Sequence, residues 1–367
     1  MIYDSKRLRE DSSRNRIGLL LTNTGTPDAP TRSALRSFLA QFLSDSRVVD
    51  WPRWIWIPIL HGIILRLRSR RVARRYQRIW TKQGSPLLIS TRNVAARLQE
   101  ALQAQYSQQI MVAVGMRYGT PSIAEGLQEL QSSGVGRILI LPLFPQYTAA
   151  TTASSFDAVF AEIQRWRWMP ELRTVNSYHA HPAYIRALVS TIQASWEQDR
   201  KTDRLLFSFH GIPESQLHAG DPYYHQCQET ASLVAQQLDL AEGTYQISFQ
   251  SNFGPQEWLK PYTGTLLRQW AEEGIGGVGV ICPGFSCDCL ETLYEIKEEA
   301  RQAFKQAGGK DFSYIDALND RPEHIQAIAE IILPQLEDWL NYVDETKNEN
   351  PVERLRKSEN ANTLSWA

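Results

Sequence analysis

The stretch "RLLFSFHGIP" (residues 204–213) is a run of mainly apolar residues that ends on His210, where Gly211 and Pro213 stop it. Because the run lacks clean polar alternation, it predicts a strand buried on both faces. Strands of this kind are typical of parallel sheets that helices cover on both sides. An imidazole at the end of such a strand raises the question of a site, but a lone histidine is usually a satisfied structural residue, so a site there needs a partner for His210.

Similar apolar runs recur along the chain and alternate with helical patterns. They are "IGLLLTNTG" from Ile17, "IMVAVGMRYG" from Ile110, "RILILPLFPQY" from Arg137, "RTVNSY" from Arg173, "YQISFQSNFG" from Tyr245, "GVGVICPG" from Gly277 and "FSYIDALN" from Phe312. This alternation predicts an α/β protein with about eight strands, arranged as two parallel sheets of about four strands each. We place the division between the two halves near residue 170.

Composition narrows the class of protein. With 39 basic and 40 acidic residues among 367, the net charge is near zero, which argues against a nucleic-acid partner. The first sixteen residues are polar and include Asp4, Glu10 and Asp11, unlike a secretory signal or a transit peptide. The sequence therefore predicts a cytoplasmic protein.

Chemically versatile residues follow several of the predicted strands. They are Asn23, Arg117, Tyr118, Tyr147, His210, Asn252 and a group of three cysteines, Cys282, Cys287 and Cys289. In open parallel sheets, ligands bind at the carboxyl ends of the strands. We therefore expect a ligand site on this edge.

The segment "WPRWIWIPILHGIILRLRSRRVARRYQR" (residues 51–78) interrupts the alternation. It is too short, and too interrupted by Arg53 and Pro58, to span a bilayer. Two interpretations stay open: a core helix followed by a solvated basic face, or a segment that lines a cleft or lies on a membrane surface.

The stretch "CPGFSCDCLETLYEIKEEA" (residues 282–300) is rich in carboxylates. If a helix begins near Asp288, then Asp288, Glu291, Glu295 and Glu298 fall on one face. Capping of the helix explains Asp288 and Glu291 but not the other two. A row of carboxylates suits a cation, so we expect an acidic path for metal along this face.

His210 gains a partner if its strand end faces Glu291 across a cleft. An imidazole and a carboxylate together bind ferrous iron or zinc. Two protein ligands are too few for a permanent structural site, so the pair suits a metal in transit.

Several long motifs, in order, resemble the ferrochelatase family. They are "LPLFPQYTAATTASS", "FSFHGIPESQLHAGDPYYHQC", "SFQSNFGPQEWLKPYT", "CPGFSCDCLETLYEI" and "GGKDFSYIDALNDRPEHI", and the resemblance runs from about Ile17 to about Tyr342. It implies a chelatase-like fold of two Rossmann-like domains around a porphyrin cleft. The expected parts are a polar segment (1–16), a first domain (17–170) with a hydrophobic lip (51–68), a second domain (171–321), a C-terminal helix packing back on the body (322–342) and a flexible tail (343–367).

The resemblance also implies an activity, the insertion of Fe(II) into protoporphyrin IX with release of two protons, the last step of haem biosynthesis. His210 and Glu291 are then the catalytic, metal-binding residues, with Asp288 and Glu295 on the acidic path. The expected cleft residues are Arg117, Tyr118, Tyr147, Trp258 and Arg78, the last as a partner for porphyrin propionates, and the expected lip residues are Trp51, Trp54 and Trp56.

The resemblance has consequences for cofactors and partners as well. Some relatives carry a [2Fe-2S] cluster with most ligands in a C-terminal extension, but the tail here has no cysteine, so we expect no cluster. Cys289 stands where many relatives have His. The lip implies peripheral contact with the inner membrane. Two alternatives remain: a related chelatase for another tetrapyrrole, and a tetrapyrrole or metal carrier without turnover.

Overall fold

A computed structural model describes residues 16–106, 110–198, 202–254 and 256–348, with side chains up to residue 341. The expected polar segment at 1–16 lies almost wholly outside the described residues, as does most of the expected tail at 343–367.

Strands and helices alternate along the described chain. The strands are β1 (Arg16–Thr26), β2 (Ile110–Gly119), β3 (Val135–Pro142), β4 (Glu171–Thr174), β5 (Arg204–His210), β6 (Tyr245–Gln250), β7 (Gly277–Ile281) and β8 (Asp311–Ile315). The α-helices are α1 (Arg32–Leu43), α2 (Arg53–Ile59), α3 (Leu65–Ile79), α4 (Pro86–Tyr106), α5 (Ile123–Ser132), α6 (Ser154–Ile163), α7 (Pro182–Gln198), α8 (Glu214–His218), α9 (Tyr223–Gln237), α10 (Thr263–Glu272), α11 (Arg301–Gln306) and α12 (Pro322–Asn348). Three segments are π-helical, π1 (Leu60–Ile64), π2 (Ala149–Ala153) and π3 (Glu291–Ala300).

The strands form two four-stranded sheets, with orders β2-β1-β3-β4 and β6-β5-β7-β8. All pairings within both sheets are parallel. The central strands are buried, as the apolar runs predicted; Leu205 to Phe209 of β5 are each at most 2% exposed. The predicted fold class of two parallel sheets flanked by helices is confirmed.

The division between the two sheets lies further along the chain than residue 170. Strand β4 pairs with β3, from Arg137 opposite Glu171 to Ile140 opposite Thr174. The "RTVNSY" run therefore closes the first sheet, whereas we expected it to open the second domain. The strand is only four residues long and partly exposed in the structure, and nothing in its sequence indicates which sheet it joins.

Glycines at the ends of β1 and β2 allow these two strands to approach each other. Gly25 and Gly119 have φ values of 99° and 84°. A Cβ on Gly25 would lie 1.8 Å from the carbonyl oxygen of Tyr118. Only glycine tolerates both the positive φ and this close contact, so the carboxyl ends of β1 and β2 can lie close together.

Helix α12 packs across both halves. Its Trp339 is 2% exposed, and the indole N–H donates to Glu171 of β4 over 2.8 Å. Arg173 of β4 forms an ion pair with Asp338 on the same helix. The helix runs to Asn348, six residues beyond the expected end at 342, so the first part of the expected tail is helical.

The lip consists of α2, π1 and the first turn of α3. Its apolar side chains are unusually exposed, among them Trp54 at 79% and Leu67 at 70%. The exposed side chains favour the second interpretation, whereas Leu60 and Leu65 of the same segment are buried in a core cluster. In the part of the chain that the structure describes, every helix is too short or too polar to cross a bilayer.

Candidate active site

His210 ends β5 at the carboxyl edge of the second sheet and is partly exposed. Its Nδ1 lies 2.6 Å from the carbonyl oxygen of Gly211. Because a carbonyl can only accept, Nδ1 carries the hydrogen, and in the neutral ring Nε2 keeps a free lone pair. That nitrogen can bind a metal or accept a proton.

Glu291 follows β7, the strand that pairs with β5. Gln250 lies opposite His210 in β6, and its amide donates to the backbone carbonyl of Glu291 over 2.9 Å. His210 and Glu291 are therefore held at the same edge of one sheet, rather than on strand ends that face each other across a cleft.

The acidic helix differs from the expected one in its pitch. It is a π-helix from Glu291, and a π-turn holds more residues than an α-turn. Residues four apart therefore align better than residues three apart. The row becomes Glu291, Glu295 and Glu299, and Glu298 pairs with Arg78 near the end of α3 at 2.7 Å.

Glu295 lies in the middle of this row. Its carboxylate accepts a short hydrogen bond from Ser251, and Arg75 of α3 reaches it at 3.5 Å. Burial, followed by the charge of Glu291, raises the pKa of Glu295 to about 7, against the lowering effects of Ser251 and Arg75. Glu295 can therefore take up or release a proton near neutral pH.

Asp288 does not join the row. Its Oδ1 accepts from Thr292 at 2.8 Å and from Tyr314 at 2.6 Å, and its Oδ2 accepts from Asn319 at 2.6 Å. The residue is 6% exposed. A carboxylate with these three donors anchors the loop before π3, and we no longer place it on the acidic path.

The expected cleft residues of the first sheet are engaged with an aspartate that the sequence did not single out. Asp45 accepts hydrogen bonds from Arg117, the Tyr118 hydroxyl at 2.8 Å and Ser154 at 2.6 Å. Burial alone would raise the pKa of Asp45. The hydrogen bonds from Ser154, the Arg47 backbone and Tyr118, together with the charge of Arg117, outweigh burial and lower this pKa below its ordinary value. Tyr118 is only 2% exposed and packs in the core rather than presenting its ring to a ligand.

Trp258 is also buried, at 4% exposure, and its N–H donates to the Phe253 carbonyl over 2.8 Å. A Cβ on Gly211 would lie 3.2 Å from the Trp258 ring, so the indole packs against the turn that follows His210. Tyr147 is partly exposed, and its backbone N–H is held by Gln226. Phe285, which we overlooked, lies with its ring centroid 6.4 Å from that of His210.

The part of α3 beyond the lip contacts the acidic row. Arg75 reaches Glu299 at 3.1 Å as well as Glu295, and Arg78 is engaged with Glu298. Arg78 therefore has a protein partner in this structure, and its expected contact with a porphyrin propionate stays a prediction. Among the lip tryptophans, Trp51 and Trp54 are exposed, whereas the Trp56 N–H donates to the Leu43 carbonyl over 2.6 Å.

All four cysteines are free and buried. Burial raises the pKa of Cys227, Cys282 and Cys289 well above the ordinary thiol value, and that of Cys287 to about 12. Among the described residues, there is no group of three or more His, Cys, Asp or Glu side chains arranged to hold a metal ion.

Two four-stranded parallel sheets flanked by helices form the two-domain fold of the chelatases. A cobalt-bound sirohydrochlorin chelatase SirB from Bacillus subtilis subspecies spizizenii has a similar fold, with a TM-score of 0.51 and 10% identity over 88% of this chain and 96% of that one. Residues 16–336 match the model of the ferrochelatase family, so the chain belongs to this family.

Relatives named ferrochelatase agree over most of the chain. The protein from Nitrosococcus oceani is 52% identical, with 88% of each chain covered. The one from Teredinibacter turnerae is 49% identical, with 92% of each covered, and that from a Polaromonas species is 50% identical, with 93% of this chain and 91% of that one covered. The protein is an enzyme of the lyase class that acts in haem biosynthesis, as the motifs predicted.

Proposed function

We propose that this enzyme inserts Fe(II) into protoporphyrin IX at the carboxyl edge of the second sheet. His210 accepts a pyrrole proton or binds the iron through Nε2, and Glu291 binds the iron through its carboxylate. The observation that carries this proposal is the hydrogen bond from Nδ1 of His210 to Gly211, since it leaves Nε2 free.

The reaction must balance protons as well as metal. Two pyrrole N–H bonds break, their electron pairs bind Fe(II), and two protons leave while the ion loses its hydration waters. Where His210 acts as the base, its Nε2 takes the first proton. Glu295, whose pKa is raised to about 7 chiefly by burial, passes protons toward Glu299 and solvent.

The rings of Tyr118 and Trp258 are buried and do not contact the macrocycle. The macrocycle instead contacts side chains that are more exposed. We assign this contact to Tyr147, Phe285 and the lip; of these, Phe285 lies beside His210, with its ring centroid 6.4 Å away. Strain in the bound macrocycle, supplied by this binding energy, turns nitrogen lone pairs toward the metal.

The test is anaerobic Fe(II) insertion, followed by loss of porphyrin fluorescence. We expect His210→Ala and Glu291→Gln to lower kcat at least a hundredfold while both variants still bind porphyrin. His218→Ala and Glu257→Gln change exposed residues of the same types and serve as controls. Turnover by His210→Ala close to that of the wild type would contradict the assignment, and stoichiometric binding without turnover in the wild type would favour a carrier.

We further propose that the enzyme carries no [2Fe-2S] cluster. Such a cluster needs four thiolates, but burial raises the pKa of all four thiols, and Cys227 lies on α9 and not in the loop that holds the other three. Enzyme purified without oxygen should contain no acid-labile sulfide. Two sulfides per chain would overturn this proposal.

A further inference from the structure

Gln250, at the end of β6, is bonded to the backbone beside both residues of the proposed site. Its own carbonyl accepts from the Gly211 N–H over 2.8 Å, and its side-chain amide donates to the Glu291 carbonyl over 2.9 Å. Gly211 is the residue whose carbonyl fixes the tautomer of His210. One residue therefore connects the turn after His210 to the first residue of π3.

The Gln250 side chain lies in a buried cluster of uncharged polar groups. Gln250 is 5% exposed, and its neighbours in the cluster, each at most 3% exposed, are Ser208, Ser248, Thr263 and Cys282. Ser208 and Ser248 lie opposite each other, two residues before the ends of β5 and β6. Polar groups buried this deeply need hydrogen-bond partners, so the contacts within the cluster decide where its hydrogens lie.

The hydrogen bonds of this cluster all run toward Glu291. Because a carbonyl can only accept, the Gln250 nitrogen faces Glu291, and its Oε1 accepts from the Ser208 hydroxyl over 2.7 Å. A hydroxyl has one hydrogen, so Ser208 accepts from Thr263 over 2.8 Å, and Thr263 accepts from Ser248 over 2.9 Å. The chain of hydroxyls thus has one direction, and it ends on the amide of Gln250.

This chain holds the amide of Gln250 in one orientation. The Cys282 thiol lies 3.6 Å from the same Oε1 and adds a weaker donor. Reversal of the amide would place Oε1 against the Glu291 carbonyl, so that two acceptors met with no hydrogen between them. The Ser208 hydroxyl therefore acts on Glu291 through the amide that it orients.

We propose that Gln250 is a positioning residue that holds Glu291 at its working distance from His210, and that Ser208 acts through it. This inference rests on the proposed function of His210 and Glu291. Metal insertion needs these two side chains at one separation, and a displacement of about 1 Å can lower turnover about a hundredfold. Because the Gln250 side chain is bonded to protein groups at both ends, its loss should lower turnover rather than porphyrin affinity.

The test compares Gln250→Leu, which is similar in size but removes the side-chain hydrogen bonds, with Ser208→Ala. Anaerobic Fe(II) insertion gives kcat, and quenching of tryptophan fluorescence gives the Kd for protoporphyrin IX. We expect kcat to fall at least about tenfold in each variant, with this Kd unchanged within about twofold. The double variant should turn over as Gln250→Leu does, because Ser208 then has no amide to orient.

Thr191→Val is the matched control for the loss of a buried hydrogen bond. Thr191 is 2% exposed, and its hydroxyl donates to the Ala187 carbonyl within α7 over 2.9 Å. This variant should be less stable in urea but should keep the kcat of the wild type. Losses in kcat that multiply in the double variant would overturn the role of Ser208. If Gln250→Leu does not fold, Ser208→Ala alone decides, and wild-type kcat in either folded variant would overturn the inference.

His210→Ala, assayed beside these variants, separates this inference from the proposed function. If His210→Ala loses turnover while Gln250→Leu and Ser208→Ala keep it, the site stands and the positioning role is wrong. If His210→Ala also keeps turnover, the proposed function is wrong and this inference is wrong with it. Loss of turnover in all three, with porphyrin affinity kept, would support both.

Discussion

At His210 a single backbone carbonyl decides which ring nitrogen can react. The sequence predicted that His210 ends a buried strand, and the structure has it there. It could not reveal the tautomer, since the bond to Gly211 depends on the turn that follows the strand.

Asp288 is a residue whose role the sequence did not predict. Spacing placed it with the other carboxylates, but its three donors come from Thr292, Tyr314 and Asn319, two of them more than 25 positions away. Contacts between distant segments leave no local pattern, so the anchoring role was invisible. Asp45 was missed for the same reason, because Arg117 and Ser154 lie far from it in the chain.

Glu295 should make stability depend on pH. Its folded-state pKa of about 7 is above the ordinary value of 4.5, so the folded state binds the proton more tightly than the unfolded state. This contribution is present at low pH and is lost as the pH rises through about 4.5 to 7, by up to about 3 kcal/mol. Glu295→Gln should therefore be more stable, relative to wild type, at pH 8 than at pH 5.

Urea unfolding at both pH values measures this difference. Glu299→Gln is the matched control, because it removes the other carboxylate that Arg75 contacts, at a side chain that is 43% exposed. The control should show little pH-dependent gain. Equal gains in both variants would mean that Arg75, rather than burial of Glu295, sets the effect.

At the scale of elements, the acidic helix was predicted in its position but not in its pitch. Helical spacing in the sequence favours an α-helix by default, and nothing in "ETLYEIKEEA" excludes one. The π-form brings Glu299 into the row and directs Glu298 to Arg78. The ion pair between Glu298 and Arg78 of α3 thus occurs together with the π-helical form, which the helix propensities of these residues alone would not predict.

The lip should bind membranes through its exposed apolar side chains. Trp54 and Leu67 are 79% and 70% exposed, and the neighbouring arginines of α3 would favour anionic headgroups. The double variant Trp54→Ser with Leu67→Ser should lower co-sedimentation with phosphatidylglycerol-containing liposomes at least fivefold.

Met169→Ser is the matched control for the lip variants. Met169 is 60% exposed but lies after α6, outside the lip. Its replacement should not change liposome binding. If the lip variant co-sediments with liposomes as well as the wild type, these side chains do not bind the membrane, and the proposed peripheral membrane contact is wrong.

At the scale of the whole molecule, the two sheets were predicted and their connection was not. Alternating apolar runs indicate how many strands there are, but the assignment of β4 to the first sheet depends on its pairing with β3. Helix α12 then returns to β4 from the second half of the chain, and its Trp339 lies beneath the Arg173 guanidinium at 4.1 Å from the ring centroid. Helix α12 therefore connects the first sheet to the second half of the chain.

This role of α12 predicts that Trp339→Ala should lower the free energy of unfolding by about 3 to 5 kcal/mol, because a large buried ring is lost. The large buried cluster that contains Trp339 includes residues of both sheets, so the variant should still unfold in a single calorimetric transition. Trp339→Phe keeps most of the packing but loses the bond to Glu171, so we expect a smaller loss, about 1 to 2 kcal/mol. A loss below about 1 kcal/mol in the alanine variant would show that α12 contributes little to holding the two halves together.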